Sequence, residues 1–285
     1  MTTAPAAERR STPTLLACPV CESPAPQERS FGDVFLHRCR RCDHCFTDVE
    51  SLEYLGEYNE EWEAQHKNWF ANPNVSLFSF VGETIARYKQ DAAVIDIGAG
   101  RGELLTYLRE KYPRLSLTGI DVALQPEIQG VEVIREDINS FHFGDRRWDV
   151  AVSLATIEHL ADVRTFAARL RSMLIPGGLA IVTTNNERSI PYDVAGVFRR
   201  IGYDVPFERL YDRHHLNHFN TKSLTILMER SGLRPLRLHR HNIPLAAVDM
   251  PRESAVLKLG VWASFTVGRL TGRTFFQTVV LENRQ

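Results

Sequence analysis

The sequence predicts an α/β fold: a doubly wound parallel sheet with a small cysteine-rich unit at its N-terminal end. Three observations carry this. From Ala93 onward, apolar β-branched runs alternate with apolar residues at helical spacing. The first run, Ala93–Ile97, stops at the turn Gly98-Ala99-Gly100-Arg101-Gly102. It then passes into a helix pattern carried by Leu104, Leu105, Leu108 and Tyr112. All five cysteines fall between Cys18 and Cys45.

At 285 residues the chain can bury one large core plus an appendage. Its 34 basic and 35 acidic residues give a formal net charge of -1, which leaves no overall electrostatic footprint for a nucleic-acid partner. No apolar run is long enough to span a bilayer. Residues 1–13 are rich in Ala, Thr, Pro and charge and lack the apolar core of a secretion signal. They read as a disordered lead-in to a cytoplasmic protein with reduced cysteines.

Residues 14–50 form the cysteine unit. Cys18-Pro19-Val20-Cys21 and Cys39-Arg40-Arg41-Cys42 are two Cys-x-x-Cys pairs separated by seventeen residues. Such pairs place two sulfurs each at a turn and together fit a tetrahedral zinc ion. Phe31–His37 between them reads as a short strand, so the unit looks like a zinc ribbon held by Cys18, Cys21, Cys39 and Cys42. Cys45, His37 and His44 are nearby alternative ligands. A closed four-thiolate site is structural and has no open position for chemistry. A redox dithiol and a disulfide framework are the competing readings.

Residues 51–92 read as a helical connector. Tyr54, Tyr58, Trp62, Trp69 and Phe70 suit either packing on the main domain or a lid over a ligand, and packing is preferred. Asn72-Pro73-Asn74 breaks the chain, and Val75–Lys89 is a helix.

Beyond the glycine turn, strands are expected at Leu115–Ile120, Val131–Ile134, Asp149–Leu154 and Leu179–Thr184, with a helix over Leu160–Leu174. A glycine turn leading into a helix N-terminus is a nucleotide-sized site at the carboxyl edge of a sheet. Asp121, about twenty residues on, is placed to bond ribose hydroxyls. Asp137 follows the third strand, where a carboxylate can accept from the exocyclic amine of adenine.

Taken together, Val94–Glu103, Gly119–Asp121, Glu136–Ile138, Asp149–His159 and Leu174–Thr183 resemble the successive motifs of class I S-adenosylmethionine-dependent methyltransferases. The resemblance runs from about Phe80 to the C-terminus. It implies a seven-stranded Rossmann-like sheet with its last strand antiparallel, and a cofactor that donates a methyl group. It further implies that Asp96, Gly98, Ala99 and Gly100 contact the methionine end of the cofactor. Asp121 and Val122 would hold the ribose and flank the adenine, Asp137 and Ile138 would bind adenine, and Leu154 would lie near the sulfonium. A structural role for Asp96, capping the turn, is the competing reading.

Glu158-His159-Leu160 is similar to the segment found in ubiquinone-type small-molecule O-methyltransferases and their zinc-ribbon relatives. That likeness implies a His159 facing the transfer site, able to take a proton from the acceptor. The alternative is that Glu158 and His159 only brace the cofactor loop. Asn185–Leu210 has no clean periodicity and is read as the segment that builds the acceptor pocket. His214, His215 and His218 could ligate a metal, but Asp212 is the only evident carboxylate partner. His215 and His218 are therefore read as lining or bracing the acceptor pocket. Thr221 or Asn220 caps a helix over Ser223–Ser231, Leu233–His241 is a strand, and Phe275–Leu281 is the last strand. Ala255–Leu270 is read as a packed helix, with an interfacial or homo-oligomer helix as the alternative.

The expectation is a methyltransferase domain over residues 93–285 that binds S-adenosylmethionine and carries structural zinc. It would act on a small-molecule acceptor, by O-methylation in a sugar or natural-product pathway. The alternatives are an RNA methyltransferase that grips RNA through the ribbon, a non-catalytic cofactor-binding scaffold, and a nicotinamide dehydrogenase.

Overall fold

The structure is a computed structural model that describes residues 15–52, 66–122, 127–250 and 254–284. The lead-in and the connector aromatics Tyr54, Tyr58 and Trp62 lie outside the described residues.

The large sheet has seven strands: β5 (Ala93–Ile97), β6 (Ser116–Ile120), β7 (Val131–Ile134), β8 (Trp148–Leu154), β9 (Leu174–Asn185), β11 (Leu233–His241) and β12 (Phe276–Asn283). Their spatial order is β11-β12-β9-β8-β5-β6-β7. The five strands from β9 to β7 run parallel, and β12 runs antiparallel to both β9 and β11. The seven-stranded, last-strand-antiparallel expectation is met. The chain order reverses between β5 and β6 on one side and β8 on the other, which opens a crevice at the carboxyl edge of β5.

Both faces of this sheet are dry, as its near-continuous apolar strands require. Val94, Val150, Val152 and Ile181 pack on one face with Leu77, Val81, Leu104 and Leu108, from α2 (Val75–Tyr88), which follows the short α1 (Lys67–Ala71), and from α3 (Glu103–Lys111). Ile95, Ala151, Ala180 and Val182 pack on the other, with Phe166 and Leu170 of α4 (Val163–Ser172) and Leu224 and Leu227 of α7 (Thr221–Arg230). Asn220 caps α7 and forms a reciprocal capping box with Ser223.

The smaller sheet is antiparallel and contains β1 (Leu15–Ala17), β2 (Pro24–Phe31), β3 (Val34–Arg38) and β4 (Cys45–Thr47). Its fifth strand, β10 (Asn217–His218), comes from the histidine segment of the other half and pairs with Cys45 and Phe46. Half-buried Arg38 pairs with buried Glu187, whose carboxylate also accepts from the Tyr211 hydroxyl at 2.6 Å. Arg188 pairs with Asp43 across the same seam.

The segment without clean periodicity, Asn185–Leu210, contains two helices, α5 (Ile190–Arg200) and α6 (Val205–Leu210), each with proline in its first turn. Two expectations need correction. The helix expected over Leu160–Leu174 is shorter, because β9 starts at Leu174 and carries Pro176-Gly177-Gly178 within it. The helix α8 (Ala255–Thr271) is not enclosed. Phe265 and Gly268 face inward, while Val256, Leu259, Trp262, Val267 and Leu270 are exposed.

Candidate functional site

The glycine turn lies at the carboxyl end of β5. Gly98 sits at φ +72° and its amide donates to the Ile120 carbonyl at 2.8 Å, which locks the turn to β6. A β-carbon here would fall 2.3 Å from Thr156 Oγ1, so only glycine fits. Gly100 differs. It also has positive φ, +53°, but a β-carbon on it would meet nothing within 4 Å. Its amide donates to Asp121 Oδ2 at 2.8 Å, which brings together the two ends of the predicted cofactor site.

Asp96 is buried beneath this turn, 3% exposed. Burial, with the neighbouring carboxylates Asp121 and Glu103, raises its pKa to about 8. Leu154 ends β8, and the next residue, Ala155, is held at φ +55°, where an L-residue costs about 1–2 kcal/mol. This kink lets the Thr156 hydroxyl reach the Ile97 carbonyl at 3.2 Å and roof Gly98. Asp137 is exposed beyond β7 and accepts from the Asn139 amide at 2.8 Å, while Ile138 is buried beside it. Val122 is 70% exposed at the crevice. Ala99 is buried and donates its amide to the Ile120 carbonyl. Asp96, Gly98, Gly100, Asp121 and Leu154 thus cluster on the carboxyl ends of β5, β6 and β8, with Asp137 beyond the end of β7.

Beyond Thr156 the chain makes a short turn over Ile157–His159. Glu158 is 1% exposed and accepts from the Thr184 hydroxyl at 2.9 Å. Burial raises its carboxyl pKa to about 7. His159 Nδ1 lies 2.9 Å from the His214 carbonyl, which assigns the proton to Nδ1 and the ring lone pair to Nε2. Burial, followed by the neighbouring His215, pushes its pKa down to about 3, so the ring is neutral. The His159 and His215 ring centroids are 4.8 Å apart. His218 is almost fully enclosed, 1% exposed, between Tyr211 and the small sheet.

The small sheet holds this histidine segment in place. The Thr47 amide donates to the Leu216 carbonyl at 2.9 Å, and the Thr47 hydroxyl to the His215 carbonyl at 3.3 Å. Buried Asn217 lies 3.2 Å from His44 Nε2 through its carbonyl and donates its amide to the Leu160 carbonyl at 2.7 Å. One side chain therefore spans the cysteine unit and the turn that carries His159.

The cysteines of the two pairs converge. Cys18 Sγ lies 3.5 Å from Cys42 Sγ, and Cys21 Sγ lies 3.4 Å from Cys39 Sγ; all four sulfurs are within 4.8 Å of one another. These are too long for disulfides and close to the ~3.8 Å sulfur separation of a tetrahedron with ~2.3 Å metal–sulfur bonds. The donor set fits zinc. Cys45 is outside it, packed with Val34, Leu36, Tyr192 and Phe207. His37 bonds the Ala25 carbonyl and His44 bonds Asn217, so neither joins the cluster.

A cleft of about 710 Å³ opens between β2 and α5, lined by Arg29, Arg199 and Arg200 among others. None of its lining residues belongs to the cofactor turn or the histidine cluster, so the chemistry is assigned to the crevice and not to this cleft.

The chain is similar to known methyltransferases. The (S)-tetrahydroprotoberberine N-methyltransferase of Eschscholzia californica is 30% identical over 108 residues, 34% of this chain and 31% of that protein. The ubiquinone biosynthesis O-methyltransferase of Rickettsia bellii is 29% identical over 113 residues, 36% of this chain and 45% of that protein. The chain thus covers less than half the length of these curated relatives. Among solved structures, a protein assigned as a methyltransferase from Bacillus halodurans superposes with a TM-score of 0.52 at 16% identity, covering 74% of this chain and all of the other, a likeness of fold alone. A family model described as a methyltransferase domain matches residues 67–238, more than half of the chain, and the chain belongs to that methyltransferase-domain family.

Proposed function

We propose that this protein transfers the sulfonium methyl group of S-adenosylmethionine to a small-molecule acceptor, by O-methylation in the biosynthesis of a sugar or natural product. The observation that carries the reading is the joined site of Asp96, Gly98, Gly100 and Asp121 at one sheet edge, with neutral His159 on the adjacent turn.

The cofactor, when bound, supplies an activated methyl group with its leaving group in place, so the chain's own work is alignment and proton handling. Asp96 and the turn around Gly98, Ala99 and Gly100 receive the methionine end. Asp121 holds the ribose hydroxyls, with Val122 flanking the base. Asp137 and Ile138 take adenine, and Leu154 lies beside the sulfonium. His159 Nε2 accepts the acceptor's proton, while the Nδ1 hydrogen bond to His214 keeps the ring oriented. His215 lines the acceptor side, and His218 braces it from inside the fold. Cys18, Cys21, Cys39 and Cys42 hold structural zinc, which fixes the small sheet and through it the histidine segment. Five reduced, buried cysteines suit a cytoplasmic setting. A curated relative that methylates oxygen in ubiquinone biosynthesis supports the choice of an oxygen acceptor.

The test is transfer of an isotopically labelled methyl group from S-adenosylmethionine to a panel of hydroxylated small molecules, read by mass spectrometry. Labelled product that disappears with Asp121→Ala supports the reading. Tight cofactor binding with no product across the panel would favour a non-catalytic scaffold.

A further inference from the structure

Glu158, His159 and His215 each offer a donor atom, and these atoms all lie within 4.8 Å of one another. They come from two separate segments brought together by the small sheet, which fixes the backbone at His215 and Leu216. Glu158 is nearly fully buried, and its partner Thr184 is neutral, so no cationic side chain pairs with it among the described residues. Nδ1 of His215 is shut off from solvent and has no hydrogen-bond partner among the described residues. A buried carboxylate and a buried, unpartnered imidazole nitrogen in one cluster are both satisfied by a cation.

We propose that Glu158, His159 and His215 form a second metal site, distinct from the four cysteines, which takes one divalent transition-metal ion of the zinc class. Two imidazoles and one carboxylate favour such an ion over magnesium or calcium, which prefer all-oxygen ligands. Metal–ligand bonds of about 2.0–2.2 Å put neighbouring donor atoms roughly 3–3.5 Å apart. Side-chain movements that shorten the longest separation, up to 4.8 Å, by about 1–2 Å would assemble the site. Three protein ligands leave coordination positions open, and the two histidines are only partly buried. The ligand class for those positions is an oxygen donor, a hydroxyl or carboxylate on the acceptor; this part rests on the methyl-transfer reading. With an ion bound, the metal would acidify the coordinated hydroxyl and its proton would leave to solvent; His159 takes the proton directly only when the site is empty.

The experiment uses the full chain, stripped of metal under reducing conditions and reloaded with Co²⁺. The expected wild-type result is two Co²⁺ ions per chain. One gives intense near-ultraviolet thiolate charge transfer, and the other adds only weak visible bands typical of nitrogen and oxygen ligands. His215→Ala and Glu158→Gln should each bind one Co²⁺ and keep the charge-transfer band. Glu158→Gln preserves shape and the Thr184 hydrogen bond, so it decides the matter if His215→Ala fails to fold. A wild type that binds only the thiolate Co²⁺, or two ions retained in Glu158→Gln, would overturn the site. S-Adenosylhomocysteine affinity, expected to stay within about twofold in Glu158→Gln, reads the cofactor side separately.

Discussion

Gly98 and Gly100 both have positive φ, yet replacing each by alanine should have opposite consequences. At either position the left-handed backbone costs alanine about 1–2 kcal/mol. At Gly98 the new methyl group also meets Thr156 Oγ1 at 2.3 Å and Cγ2 at 2.5 Å. Overpacking of that kind adds about 1–3 kcal/mol, so Gly98→Ala should lose roughly 2–5 kcal/mol of stability. At Gly100 the methyl meets nothing within 4 Å, so only the backbone strain remains. The proposed site puts the cofactor over this position. A methyl group intruding on a bound ligand by a comparable overpacking energy weakens it about 5- to 150-fold. Denaturant unfolding and calorimetric titration with S-adenosylhomocysteine measure the two effects independently. Gly100→Ala should fold nearly as well as wild type and bind far more weakly. Full affinity in a Gly100→Ala protein with the expected small loss of stability would show that the space over the turn is not the cofactor's.

Three further outcomes follow from the same geometry. Because Asp96 has a pKa of about 8 in the fold, above its ordinary value, the folded chain holds a proton that the unfolded chain releases as pH rises from about 4. Its contribution therefore destabilises the free protein progressively as pH climbs towards 8. Pairing with the cofactor's ammonium would expel that proton, so affinity should rise by up to about tenfold per unit between pH 5 and 7. Asp96→Asn should flatten this profile, and a wild-type profile already flat in calorimetry would remove Asp96 from the cofactor's contacts. Asn217→Ala breaks the link between His44 and Leu160 and leaves buried groups unpaired, at about 1–3 kcal/mol each. It should raise the acceptor KM while leaving S-adenosylhomocysteine affinity unchanged; equal losses on both sides would mean only general destabilisation. Removing metal with a chelator under reducing conditions should lower the first thermal transition and impair turnover through the same histidine segment. Unchanged unfolding in stripped protein with confirmed metal loss would deny the cysteine cluster its structural role.

Much of the fold was legible because its central strands are buried on both faces. Ala93–Ile97 and Trp148–Leu154 are apolar apart from Asp96, Asp149 and Ser153, and such runs announce themselves. The cysteine cluster was equally readable, since ligand spacing is a local property. Helices α5 and α6 were not readable. Val194, Val197, Phe198 and Ile201 of the first helix and its end are exposed apolar residues on the wrong face for a core stripe. Pro191 and Gly196 also read as breakers. Strand β10 is only two residues long, and its existence depends on β4 more than 160 positions away. The bond between Gly100 and Asp121 could be anticipated from their spacing. The meeting of Glu158 with His215 could not, because it is made by that long-range pairing. The outward apolar face of α8 was hidden for another reason: composition gives a helix's hydrophobicity but not which neighbours cover it.

The most direct measurement is calorimetric titration of the full chain with S-adenosylhomocysteine and, separately, with NAD. The site of Asp96, Gly100 and Asp121 predicts one molecule of S-adenosylhomocysteine per chain, no heat from NAD, and loss of binding in Asp121→Ala with an unchanged unfolding midpoint. Binding of NAD without S-adenosylhomocysteine, or full affinity in a folded Asp121→Ala protein, would contradict it.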